Sequence, residues 1–199
     1  MCGDKMKKKI QKYIIYNIKN ITFFSVMFVI GIILGIIFFT TLNADNKAEI
    51  LSSILNSVSL IQQEGFEKIS ILKNSLLINF YLVMLMFIST FTFFPFFINS
   101  GVILFKGISL SNYICLLFNI FGIGKGIFFM FFVAIIPNIL QILLYIFIAN
   151  ESCLINEEIK KEKNLKRAFN VFFRLIFITI CTIPFFILSV WLEQTFFMI

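Results

Sequence analysis

The chain contains no histidine, which removes the commonest general base and the commonest metal ligand at once. It is also poor in charge, with Asp, Glu, Lys and Arg together at 14 %. Several stretches of roughly 20 residues or more carry no charge at all, the length that a helix rising 1.5 Å per residue needs to cross a hydrocarbon core about 30 Å thick. Tryptophan occurs once and proline three times, and the four cysteines, Cys2, Cys115, Cys153 and Cys181, form no Cys-x-x-Cys pair. Scattered in this way, they read as small apolar fillers, and neither a disulfide framework nor a metal cluster is indicated.

What is present is apolar surface: 60 % hydrophobic residues, including 29 phenylalanines, in 199 residues. That balance predicts an all-α fold, a polytopic membrane helix bundle, and leaves no room for a separate water-soluble domain of ordinary size. The net charge of +7 would point to nucleic acid in a soluble protein. Here the basic residues flank apolar runs, a distribution that indicates orientation and lipid headgroups as partners and no nucleic acid.

Residues 1–20 form a basic, cytoplasmic N-terminus with Lys5, Lys7, Lys8, Lys9, Lys12 and Lys19. The uncharged run 21–42 follows. It is too long for the 7 to 15 residues or so of a signal-peptide core and lacks a small-x-small cleavage site, so it reads as a retained first span. Cys2 has no apolar run before it, which does not fit a lipoprotein signal. Gly31 and Gly35 in this span have the small-xxx-small spacing that lets a neighbouring helix approach closely. Helix packing, no special role, and self-association into a homo-oligomer all stay open for them.

Segment 43–75 is an outer amphipathic stretch with three lysines against four acids. Ile50, Ile54, Val58 and Ile61 recur in it at three- and four-residue steps, the pattern of one apolar helical face over about 48–63. Such a face lies on the membrane, folds back on the bundle, or binds a partner. Four more spans are expected, at 76–105, 108–123, 127–149 and 171–192. The first of these is long and holds Pro95, which predicts a tilted or kinked helix, with a break near Asn99, Ser100 and Gly101, ending at Lys106 and Gly107. Segment 108–123 is short and is either a thin span or a re-entrant loop. A tight turn at Gly122 to Gly126 precedes 127–149, which carries Pro137 and Asn138 near its middle. A charged cytoplasmic linker, 150–170, leads to the last span, which holds Pro184 and ends near Trp191.

Parity decides between the two readings of 108–123. If it crosses, the N-terminal lysines share a side with Lys160, Lys161, Lys163, Lys166 and Arg167. Positively charged loops remain cytoplasmic, so five spans are expected, N-terminus in and C-terminus out.

No ionisable group is expected at mid-membrane, where transporters usually bury one. Lys106 and Lys125 are assigned to turns, Arg174 snorkels from one turn inside the last span, and Glu193 follows its end. Gly122 to Gly126 is too short for a phosphate-binding loop, and no serine has a histidine or lysine partner. The sequence therefore indicates no enzyme, no catalytic residue, no metal and no cofactor. The three prolines leave open broken helices that line a transport site, though kinks are ordinary in bundles.

The segment Phe105-Lys106-Gly107-Ile108-Ser109, followed by Gly124-Lys125-Gly126-Ile127 and then Pro137-Asn138, resembles the stage II sporulation protein M family. The basic N-terminus, the Gly-Ile-Ile-Leu-Gly span, the outer amphipathic stretch and the length match as well, so the resemblance covers nearly the whole chain. It departs where the family has Pro-Gln-Asn, since Asn138 directly follows Pro137 here and Gln141 comes three residues later. The resemblance implies a non-enzymatic, multi-pass protein of the bacterial cell membrane, at the mother cell's septal or engulfing membrane during forespore engulfment. Its implied partners are a peptidoglycan-degrading transglycosylase and an amidase. The wider family also includes subunits that accompany ABC transporters, which supplies the alternative of a transporter-like membrane subunit.

Overall fold

A computed structural model describes residues 2–43, 45–49, 52 and 65–161, together with positions 173, 177, 180, 184, 187 and 188 of the last apolar run. The described residues are helical apart from short turns, and no strand occurs among them. Helix α1 spans Cys2–Thr41, α2 Gly65–Ser89, α3 Pro95–Phe129 and α4 Ile136–Lys161, with a π-helical turn Met130–Ile135 between the last two. Three apolar stretches are long enough to cross a bilayer, Asn17–Thr41, Pro95–Phe128 and Asn138–Lys160, while Leu76–Ser89 is a shorter one.

The contacts fix the directions of the helices. The Phe24 ring stacks on Phe96 at 5.4 Å, and Gly31 and Gly35 meet Leu104 and Ile108 further along, so α1 and α3 run parallel. Tyr145 bonds Asn79, Ser152 bonds Met86 and Asn156 bonds Thr90, each pair 66 residues apart, so α2 and α4 also run parallel. Lys106 reaches Gln141 and Asn99 reaches Ala149, which sets α3 antiparallel to α4. The chain thus runs up, down, up and down. The basic start of α1, the turn between α2 and α3, and the end of α4 share one end of the bundle.

The apolar core joins all four helices through Phe24, Val83, Met86, Val102, Ile103, Tyr145, Ile148 and Ala149. Outward faces are apolar as well. Ile33 and Ile37 on α1, Tyr81 and Ile88 on α2, Phe97 on α3 and Leu143 on α4 are exposed. Helices with apolar side chains both in the core and on the outside suit a bilayer as solvent.

Several expected boundaries move. The run 76–105 is not one kinked helix: it turns at 90–94, and Pro95 occupies the first turn of α3, where its missing N–H would lack an intrahelical partner anyway. No break occurs at Asn99, Ser100 and Gly101, and α3 passes unbroken through Lys106 and Gly107, so 108–123 is its second half and no separate span or re-entrant loop. The break falls at Gly122, whose φ of 70° and ψ of −179° only a residue without a Cβ adopts readily, and helix resumes through Gly124 to Gly126.

Pro137 marks another difference. It has no N–H to donate, the turn before it is π-helical, and Asn138 Nδ2 donates to the Ala134 carbonyl at 2.8 Å. Past Ala149, α4 continues to Lys161, with Asn150, Glu151, Ser152, Cys153, Ile155 and Asn156 buried. The first part of the expected linker is therefore packed helix. Within 48–63 only Ala48, Glu49 and Ser52 are described, all helical; the stripe Ile50, Ile54, Val58 and Ile61 lies outside the described residues, as do Arg174, Trp191 and Glu193.

Candidate functional site: a polar seam inside the bundle

Phe105, Lys106 and Gly107 are consecutive, and successive residues of a helix point about 100° apart. Phe105 is exposed on the outer face, Lys106 turns into the bundle, and Gly107 faces α1. At Gly107 the α1 backbone is so close that a Cβ would lie 3.0 Å from the Gly31 Cα. A Cβ on Gly31 would strike the Leu104 carbonyl oxygen, and one on Gly35 the Ser111 hydroxyl. The glycines of both helices thus bring α1 and α3 into backbone contact.

The Lys106 ammonium donates to Asn79 Oδ1 at 2.7 Å and to Gln141 Oε1 at 3.3 Å, and lies 5.2 Å from the centre of the Tyr145 ring. The Tyr145 hydroxyl donates to the same Asn79 oxygen at 2.9 Å. Asn79, Gln141 and Tyr145 are each almost fully buried. One cation therefore ties together α2, α3 and α4 through amide oxygens and an aromatic face. Lys106 lies about 17 Å along α3 from Pro95, near half the depth of a hydrocarbon core. This corrects the expectation that Lys106 ends a helix.

About 10 Å further along α3 toward its start is a second polar layer. Ser89 Oγ donates to Asn99 Oδ1 at 2.9 Å and lies 3.2 Å from Ser152 Oγ, which is 2.9 Å from Thr90 Oγ1. Asn99 Nδ2 reaches the Ala149 carbonyl at 3.4 Å. Asn156 then closes the seam by donating to the Thr90 and Thr92 carbonyls at 2.7 and 2.9 Å. These are short buried side chains that bond across helices, where an unmade bond is costly.

The remaining expected positions are spread apart. Ser109 is exposed on α3. Gly124 and Lys125 are exposed just past the Gly122 break, with Lys125 in helix and not in a turn, whereas Gly126 is buried against Phe118. Asn138 is about half-buried beside the π-helix. Of the residues singled out in the sequence, the structure brings together Lys106 and Gln141, and, separately, Gly31, Gly35 and Gly107. It adds Asn79, Ser89, Ser152, Tyr145 and Asn156, which the sequence reading passed over. Their signal was available, since a lone Asn or Gln in an apolar run is costly in lipid unless bonded.

Chemically, the seam is a row of satisfied donors and acceptors around one cation. Among the described residues no group of three His, Cys, Asp or Glu side chains gathers to hold a metal ion. Compared with protein-family models, with curated proteins and with solved structures, the chain matches none.

Proposed function

We propose that this chain is a non-enzymatic, five-span membrane subunit that holds partner proteins at the membrane. The N-terminus and the lysine-rich end of segment 150–170 are cytoplasmic, and segment 43–75 and the C-terminus lie outside. Following the resemblance to the stage II sporulation protein M family, the partners are a peptidoglycan-degrading transglycosylase and an amidase, held at the septal membrane during forespore engulfment. The observation that carries the reading is the bundle's surface. Its described helices present apolar residues on their outer faces while their polar side chains bond inward, so its means of contact are spans and short loops. Microscopy of a deletion strain tests it: the mother-cell membrane should stall at the septum, and normal engulfment would overturn the reading. The purified chain should not cleave peptidoglycan without its partners.

A second reading, a transporter-like membrane subunit, is favoured by Lys106, because ionisable groups at mid-membrane commonly mark ion or substrate paths. It predicts that deletion abolishes uptake or export of a solute while engulfment proceeds normally. A scaffold predicts the reverse.

A further inference from the structure

The turn at 90–94 joins two apolar helices at the basic end of the bundle, and its side chains are unusual for a turn that meets water. Phe91, Phe93 and Phe94 are 54 %, 84 % and 65 % exposed, and Phe97 one turn later is 72 % exposed. No Gly, Asn or Asp lies within it, and no charge occurs between Lys73 and Lys106.

The backbone of this turn looks inward. Thr90, Phe91 and Thr92 donate their N–H groups to Phe87, Ile88 and Ser89. The Thr90 and Thr92 carbonyls accept from Asn156, and the Phe93 carbonyl accepts from Lys160 Nζ at 3.4 Å. Non-helical backbone is tolerated at membrane depth only where protein satisfies its polar groups, and side chains of α4 do so here.

The exposed phenylalanines also continue two outward faces. Tyr81, Met84, Ile88 and Phe91 follow one another on α2, and Phe94, Phe97, Gly101 and Phe105 on α3, at three- and four-residue steps. The two faces merge around the turn. Glu157 and Glu158, exposed on α4 beside Asn156, put charge at about this level.

We propose that the α2–α3 turn is a lipid-inserted corner. Its phenylalanines sit in the acyl chains just beneath the headgroups of the lysine-rich side, and the chain does not enter water between the two helices. The occupant of this surface is lipid, since the patch is continuous with the apolar outer faces of α2 and of α3, the latter long enough to cross a bilayer.

Tryptophan fluorescence tests this in a background where the single native tryptophan is replaced by Trp191→Phe. The chain carrying Phe93→Trp is reconstituted into phosphatidylcholine vesicles, with and without lipids brominated near the top of the acyl chain. Brominated lipid should remove most of the emission, while iodide should quench it far less than it quenches a Lys163→Trp reporter. Iodide quenching equal to that of the reporter would put the turn in water and overturn the proposal. Quenching by neither agent would put it under protein, from a second copy or another chain, and would overturn it equally. Phe97→Trp repeats the measurement one turn away, should position 93 not accept the larger ring.

Discussion

The Asn79 side-chain oxygen accepts from both the Lys106 ammonium and the Tyr145 hydroxyl, so one amide serves donors from two other helices. Hydrogen bonds across helices in a membrane contribute about 1 kcal/mol each, and those to a charge up to about 3. Asn79→Leu leaves two donors without that acceptor, whereas Lys106→Met removes the charge and keeps the stem. The asparagine variant should therefore be the less stable of the two, by about 1 kcal/mol or more. Because the pair is in contact, the double variant should lose less than the two single losses added, with a coupling of at least about 0.5 kcal/mol. Thermal unfolding in detergent, followed for the wild type, both single variants and the double, checks this. Additive losses would show that Lys106 draws its stability from elsewhere.

Between elements, the seam of α1 and α3 has no space for side chains at its glycines. Gly31→Ala should destabilise by about 1–3 kcal/mol, the usual result of overpacking, because the atoms in the way are the α3 backbone. Gly101→Ala has nothing within 4 Å and should stabilise α3 by roughly 0.5–1 kcal/mol through helix propensity. A thermal-shift assay on the two variants should move in opposite directions, and equal shifts would contradict the tight crossing. A different element, the outer stripe, carries the proposal of partner contact. Ile54→Asp should abolish co-purification of the hydrolase pair while the protein stays inserted at normal abundance. Lost abundance would assign the stripe to this chain's own bundle.

These elements differed in how far the sequence revealed them. Helical class and bilayer-length apolar stretches followed from runs without charge, because length and hydropathy are local properties. The turn at 90–94 was hidden, since it is built of Thr and Phe, and the groups that satisfy its carbonyls, Asn156 and Lys160, come from more than 60 residues away. Only Pro95 marked it, and a proline inside a long apolar run reads as a kink as readily as a helix start. Lys106 and Gly107 misled for the opposite reason. A charge beside a glycine looks like a helix end, yet the glycine is there for α1 and the lysine for Asn79 and Gln141. Single polar residues in apolar runs signalled the seam one by one, but which of them meet was hidden, because they lie on three helices.

For the whole molecule, moving the inner turn from Lys106 and Gly107 to 90–94 preserves the alternation of directions. The start of α1 and the end of α4 lie at the same end, and further along the two helices are joined by the Asn20 to Asn150 hydrogen bond of 3.3 Å. That shared end gathers the basic start of α1 and the two lysines, Lys160 and Lys161, that end α4. With the positive-inside preference, the proposed orientation puts that end in the cytoplasm. The five-span orientation is the claim on which both the scaffold reading and the lipid-inserted corner depend. Paired reporter fusions, one active only outside the membrane and one only inside, test it at three positions. Fusions after Ala48 and at Ile199 should be active outside and a fusion at Lys163 inside; a cytoplasmic Ile199 would contradict the account.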